Sequence, residues 1–104
     1  MRIGNVSIAI AIATLAAFAA PVHAQADASR ARDLAATCAN CHGTGGKAQG
    51  ALPALAGQSK ADLVQKMNDF RDGKRQATIM HQLAKGYTPE QIDLIAGWFA
   101  QQRP

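Results

Sequence analysis

The five residues Cys38-Ala39-Asn40-Cys41-His42 are the stretch of sequence that decides the fold. In a helical conformation Cys38, Cys41 and His42 stand at positions i, i+3 and i+4, which share one helical face. Two thiols and one imidazole on one face can hold a flat cofactor at three points. C-x-x-C-H is the attachment signature of c-type haem. The motif therefore predicts a haem joined to both cysteine sulfurs through thioether bonds, with His42 on the iron.

The N-terminus has the pattern of a secretory signal peptide. Arg2 supplies the positive charge, Ile8 to Ala20 form an apolar run, and Val22-His23-Ala24 offers small residues for cleavage before Gln25. The apolar run is too short to span a bilayer comfortably, although an uncleaved membrane anchor is the alternative. We therefore predict a cleaved segment over residues 1–24, a single domain over residues 25–104, a periplasmic location and no membrane span after cleavage.

Three other kinds of site use a C-x-x-C pair. A thioredoxin-like redox site needs a βαβ pattern, and this chain has no β-rich run. A structural zinc site usually takes four Cys or His ligands in two clusters, whereas the predicted mature chain has only His81 beyond the motif. A structural disulfide suits an exported protein, but it gives no reason for a histidine directly after the second cysteine. The sequence therefore favours haem attachment.

The predicted mature domain is small and modestly basic. A domain of this size buries little core, and a covalently held haem would stabilise it because the apolar haem faces become core. Without Arg2, ten Lys and Arg stand against seven Asp and Glu. This charge favours electrostatic steering towards an acidic partner. With no basic run in the sequence, we expect no nucleic-acid binding.

Apolar residues recur at helical spacing through the mature chain, which predicts an all-α fold. Helices are expected over residues 27–37, from Ser59 to Gly73, over a short segment closed by Gly86, and from Thr88 onwards. The apolar face of the last helix comprises Ile92, Ile95, Ala96 and Phe99.

The residue on the second axial position of the iron decides what such a haem does. Methionine opposite histidine raises the reduction potential and suits an electron carrier. Met67 lies on an apolar helical stripe, which core packing explains, and His81 would point differently from its neighbour Met80. We favour Met80, because it follows the break at Gly73, where the chain can wrap around the far side of the haem.

The motif, Leu52-Pro53-Ala54-Leu55, Met80 and an aromatic C-terminal helix together resemble the class I cytochromes c. The resemblance covers essentially the whole mature chain and is strongest to cytochrome c4 domains and to the cytochrome subunit of flavocytochrome c sulfide dehydrogenase. Those proteins often carry two haem domains, whereas this chain has one. The narrower likeness lies in Phe70–Arg75, Ala77–Met80, Ala84–Tyr87 and Ala96–Phe99.

The resemblance implies a small class I cytochrome c fold in which about four helices wrap one covalently bound haem c. The first and last helices would cross, and Ala31, Ala35 and Gly97 are small enough to permit this crossing.

The resemblance also implies how the site is built. Met80 would be the second axial ligand, in agreement with the choice made from the residues alone. The Pro53 carbonyl would accept a hydrogen bond from the His42 Nδ1–H, which orients the imidazole. Leu55 would pack on the haem near the same edge.

The function that follows is a periplasmic electron-transfer protein, not an enzyme by itself, with redox proteins as partners. It would serve as the cytochrome subunit of a sulfide-oxidising flavoprotein, or as a free-standing shuttle to a terminal oxidase or reductase. A haem sensor or a peroxidase with an open distal site is the alternative from another functional class.

Overall fold

The computed structural model of the chain describes residues 22–48 and 50–104. Residues 1–21 of the predicted signal peptide lie outside the described residues, and residues 22–24 belong to the first helix. The helices are α1 (Val22–Ala36), α2 (Ala39–His42), α3 (Lys60–Arg71), α4 (Met80–Lys85) and α5 (Pro89–Ala100), with a 3-10 turn at Thr44–Gly46. No β-strand occurs in the described residues, and the predicted all-α class is confirmed.

Local hydrogen bonds set the ends of α3 and α5 as the sequence predicts. The Asp62 N–H donates to Ser59 Oγ at 3.1 Å, which caps α3. Thr88 and Gln91 form a reciprocal capping box at the start of α5, with distances of 2.9 and 3.2 Å. Gly73 follows the last turn of α3 with φ of +73°, a conformation that glycine adopts without strain.

The sequence pattern predicts the first helix over residues 27–37. In the structure it begins five residues earlier, at Val22, and ends at Ala36. Its added first turn contains alanine and glutamine, which favour helix even when exposed. Neither this helix nor any other helix of the described residues combines the length and apolar character needed to cross a membrane.

The core lies where α1 packs against α5 and α3 packs against α5. The expected apolar face of α5 is fully buried, so that prediction is confirmed. Trp98 lies at the edge of this face and meets the Phe99 ring edge-to-face, with 5.0 Å between centroids. The central cluster consists of Ala35, Leu63, Ile95, Ala96 and Phe99.

The crossing of α1 and α5 uses small side chains on α1 but does not require the glycine on α5. Ala31 and Ala35 are buried in the crossing. A Cβ on Gly97 would meet only the Lys60 side chain, at an ordinary contact distance of 3.8 Å. The small size of Gly97 is therefore compatible with the crossing but is not what makes it possible.

Gly46 joins the segment after the motif to the core. Its φ is +73°, and a Cβ at this position would lie 2.7 Å from the Phe99 ring and 3.0 Å from the Leu55 Cβ. Its carbonyl accepts hydrogen bonds from the Leu55 and Ala56 N–H groups at 2.7 and 3.0 Å. Gly46 therefore fastens the apolar loop over residues 52–57 onto the core behind the motif.

We expect Gly46→Ala to lower the free energy of unfolding by about 2–5 kcal/mol. An L side chain in the left-handed region costs about 1–2 kcal/mol, and overpacking the Phe99 ring adds about 1–3 kcal/mol. Gly45 is the matched control, because its φ is +64° and a Cβ there has nothing within 4 Å. Denaturant unfolding of the purified variants checks the difference, and equal losses for Gly45→Ala and Gly46→Ala would contradict it.

Candidate cofactor site

The motif forms the single helical turn α2. Cys38 precedes this turn with helical φ and ψ of −67° and −27°. Its carbonyl accepts from the His42 N–H at 2.9 Å and from the Cys41 N–H at 3.3 Å. The turn is linked to α1, because the Cys38 N–H donates to the Ala35 carbonyl at 3.1 Å. The two cysteines and the histidine therefore have the helical spacing expected from the sequence.

Both cysteines of the motif carry free thiols, so the structural disulfide is not formed. Cys38 is half-buried and Cys41 is exposed. Burial raises the pKa of the Cys38 thiol. Across residues 22–48 and 50–104, no three His, Cys, Asp or Glu side chains are grouped to hold a metal ion, as a structural zinc site would need.

His42 is the one buried charged or polar side chain in the described part of the chain, with 8% of its surface exposed. Its Nδ1 lies 2.8 Å from the Pro53 carbonyl oxygen. A carbonyl oxygen only accepts, so Nδ1 carries a proton, and in the neutral form of the ring the lone pair then lies on Nε2. The structure thus contains the hydrogen bond that the family resemblance implied, and the ring presents Nε2 as a possible metal ligand.

The loop that carries Pro53 is held on both sides. Leu55 binds Gly46 through the backbone, and the Gln58 side chain donates to the Ala54 carbonyl. Lys66 of α3 donates in turn to the Gln58 side chain. These contacts hold the loop carbonyls in position, and Leu55 itself is half-buried against the core cluster.

The three candidates for the second axial position lie on α3 and α4, which pack against each other. Met80 is the first residue of α4 and is half-buried. Its neighbour His81 is half-buried, and the His81 Nδ1 is buried without a hydrogen-bond partner. Met67 of α3 is half-buried too. The structure thus brings Pro53 to His42, while Met80 comes from a separate element of the chain.

Among residues 22–48 and 50–104, three large apolar side chains are exposed, namely Leu52, Ile79 and Leu83, with 47%, 54% and 45% of their surfaces exposed. Leu52 directly precedes Pro53, and Ile79 directly precedes Met80. Uncovered apolar surface therefore adjoins both segments that the sequence associates with the cofactor.

One contact near the motif escaped the sequence analysis. The Thr37 Oγ1 lies 3.0 Å from the Tyr87 hydroxyl, although the two residues are fifty positions apart. Tyr87 is part of the family-like segment Ala84–Tyr87, but no spacing rule connects it to the residue that precedes Cys38. Only the folded chain reveals this pair.

Comparison with known proteins places this site in a family. The family model described as "Cytochrome c" matches residues 28–102. A protein of Chlorobaculum tepidum named cytochrome subunit of sulfide dehydrogenase is 42% identical over 71 residues, which are 68% of this chain and 64% of the relative. Cytochrome c4 of Pseudomonas aeruginosa is 37% identical over 82 residues, 78% of this chain and 41% of the relative.

Two further comparisons extend this result. A protein of Thiomonas intermedia named thiosulfate dehydrogenase electron acceptor is 34% identical over 99 residues, 91% of this chain and 44% of the relative. A solved cytochrome c4 structure from Acidithiobacillus ferrooxidans matches with a TM-score of 0.62 and 30% identity, covering 69% of this chain and 49% of that one. The chain spans less than two thirds of the length of each of these four relatives.

The structural match confirms the predicted class I cytochrome c fold. Members of the matching family bind covalently attached haem c and act as electron carriers or as subunits of oxidoreductases. The family model covers well over half of the chain, and its match includes the whole C-x-x-C-H motif. The chain therefore belongs to the cytochrome c family.

Proposed function

We propose that this protein is a periplasmic monohaem cytochrome that transfers single electrons. The orientation of His42 carries the proposal. Its Nδ1–H is directed to the Pro53 carbonyl, which leaves the Nε2 lone pair free on the same helical turn as two free thiols. Two thiols and an imidazole with a free Nε2 are the donor set that covalent haem attachment requires. The residues present therefore fit haem c.

Each residue of the proposed site has a separate role. The S–H groups of Cys38 and Cys41 would each add across one vinyl group of the haem, so that two thioether bonds would form and no atom would be lost. His42 would bind the iron through Nε2, and the bond to Pro53 would orient its ring and raise its basicity. Met80 would be the other protein ligand of the iron, and a thioether ligand favours the reduced state. The bound haem contributes the one-electron couple of its iron.

The apolar surface near the site supports this assignment. Leu52, Ile79 and Leu83 leave large side chains exposed, and a haem face would remove much of that surface from water. The gain is about 25 cal/mol for each Å² of apolar surface covered. Leu55 lies on the same loop as Pro53 and would contact the haem near the His42 edge.

The proposed activity needs partners rather than a substrate. Electrons would enter and leave through contacts with other redox proteins, so the chain is not an enzyme by itself. The predicted mature chain has three more basic than acidic residues, which favours association with an acidic protein surface. The signal-peptide pattern over residues 1–24 supports a periplasmic site of action.

Two possible roles of the protein are each supported by a different relative. The match to a protein named cytochrome subunit of sulfide dehydrogenase supports a role as the cytochrome subunit of a sulfide-oxidising flavoprotein. The match to a protein named thiosulfate dehydrogenase electron acceptor extends over 91% of this chain and supports a role as the electron acceptor of a dehydrogenase, which a free-standing shuttle would fill. We propose the flavoprotein subunit first, because that relative has the higher identity.

Covalent attachment predicts that the purified protein keeps its red colour in acid-acetone, which extracts haem that is not covalently bound. The double variant Cys38→Ala/Cys41→Ala has no thiol left to form a thioether, so we expect it to release all of its haem or to bind none. Absorption of the pellet and the supernatant measures the distribution. Complete extraction of haem from the wild-type protein would contradict covalent attachment.

Met80→Ala is expected to abolish the weak long-wavelength band of ferric haem that marks a methionine–iron bond. The variant should also have a lower reduction potential and bind carbon monoxide rapidly when reduced, because the second axial position is open. Met67→Ala and His81→Ala are matched controls that should keep the band. An unchanged band in Met80→Ala would remove Met80 from the site, and rapid carbon monoxide binding by the wild type would favour the sensor or peroxidase alternative.

A role as a flavoprotein subunit predicts that the protein co-purifies from its native host with a flavin-containing chain in a fixed ratio. Because complex formation would draw on the basic surface, raised salt should weaken the association. Size-exclusion chromatography with absorption at the haem and flavin bands measures the complex. A protein that elutes as a monomer from every low-salt step would support the free-standing shuttle instead.

A further inference from the structure

The Thr37–Tyr87 hydrogen bond joins two parts of the chain on which the proposed site depends. Thr37 directly precedes Cys38, and Tyr87 lies two residues after the end of α4. Within the described residues, only one other hydrogen bond between side chains joins residues more than thirty positions apart. It links Lys60 to Asp93. That second bond ties α3 to α5, whereas the Thr37–Tyr87 bond connects the attachment turn with the end of α4.

The direction of the bond follows from a third group. The Thr37 hydroxyl donates its proton to the Leu34 carbonyl at 3.2 Å, because a carbonyl oxygen only accepts. Thr37 has no second proton to donate, so the Tyr87 hydroxyl donates to Thr37 Oγ1 at 3.0 Å. The threonine hydroxyl therefore acts as donor and acceptor at once, which orients both side chains.

Each partner is also fixed to its own surroundings by the backbone. The Thr37 carbonyl accepts from the Asn40 N–H at 3.4 Å, within the motif. The Tyr87 N–H donates to the Ala84 carbonyl at 3.4 Å, and Ala84 is fully buried in α4. The Tyr87 ring packs against the core cluster. Tyr87 is therefore held to α4 by a backbone hydrogen bond and to the core cluster by its side chain.

The opposite end of α4 has fewer such connections. Lys74 and Arg75 donate backbone hydrogen bonds to the Asp69 carbonyl of α3 at 2.8 and 3.2 Å. Of the backbone hydrogen bonds that the described residues form outside the helices, none involves residues 76–78, and the next one along the chain uses the Ile79 carbonyl. The start of α4, which carries Met80, is thus approached by a segment with little backbone support.

We infer that Tyr87 is a positioning residue that holds α4, and with it Met80, in register with the haem-attachment turn. The inference rests on the proposed function, in which Met80 and His42 bind one iron from two sides. Without the hydroxyl bond, α4 would be freer to move, and Met80 would leave the iron more often. A hydrogen bond at a partly exposed position changes such an equilibrium by about two- to tenfold.

Competition by imidazole for the ferric iron of the holoprotein tests this inference. Imidazole enters when Met80 leaves, so its apparent affinity measures how often the second axial position is open. Tyr87→Phe keeps the ring and removes the hydroxyl, and Thr37→Val keeps the size and removes the acceptor. We expect each variant to bind imidazole about two- to tenfold more tightly than the wild type. The double variant should match Thr37→Val, because that single variant has already lost the bond to Tyr87.

Two controls separate positioning from general stability. Ser59→Ala removes the cap of α3 and lowers the free energy of unfolding, but it keeps the Thr37–Tyr87 bond, so its imidazole affinity should equal that of the wild type. Thr37→Ser keeps a hydroxyl at the acceptor position and should restore the wild-type affinity. Denaturant unfolding measures the stability of the same proteins. At similar stability, Tyr87→Phe should change the imidazole affinity more than Ser59→Ala does.

The outcomes distinguish this inference from the function on which it rests. Imidazole affinities of Tyr87→Phe and Thr37→Val equal to that of the wild type would overturn the inference, as would additive effects in the double variant. In both of these outcomes the proposed function stands as long as the wild type shows the methionine–iron band. A wild-type protein without that band would overturn Met80 ligation itself, and the inference with it.

Discussion

The hydrogen bond from the His42 Nδ1–H to the Pro53 carbonyl determines which nitrogen of the ring is free to bind a metal. That bond forms only if the Pro53 loop lies against the motif. The loop is held there by Gly46, whose carbonyl binds two of its N–H groups. Gly46 in turn lies against the Phe99 ring. The orientation of the His42 ring therefore depends on the core formed by α1, α3 and α5.

The hydrophobic core of the protein is small. The central cluster contains only five buried residues in the described part of the chain, and two of them are alanines. Leu52, Ile79 and Leu83, which lie within three residues of Pro53 or Met80 in the sequence, remain exposed. In the proposed holoprotein these apolar surfaces and the haem would form a second core, which a short chain needs because its own side chains cover too little surface. Cofactor binding and folding would then be coupled.

The proposed electron transfer requires the two axial ligands to keep their positions while the charge on the iron changes. His42 belongs to the turn at the end of α1, whereas Met80 begins α4, which packs against α3. Without the Thr37–Tyr87 bond, these two elements would be linked through the packing of α3 and α5 against the rest of the core. The position of α4 relative to the motif would then be less tightly fixed. The direct bond between Thr37 and Tyr87 shortens the connection to one contact. In our interpretation it limits the reorganisation that accompanies each transfer.

The sequence by itself determined the features that depend on neighbours within a few residues. The helical turn of the motif, the caps at Ser59 and Thr88 and the buried face of α5 all follow from local spacing, because helix geometry repeats regularly. The bond between His42 and Pro53 was expected from the family resemblance and not from spacing. The tertiary structure alone decided that Gly46 lies on Phe99, that Gly97 has room for a side chain, and that Tyr87 reaches Thr37. These contacts join distant residues, and they depend on how the helices cross, which no local pattern specifies.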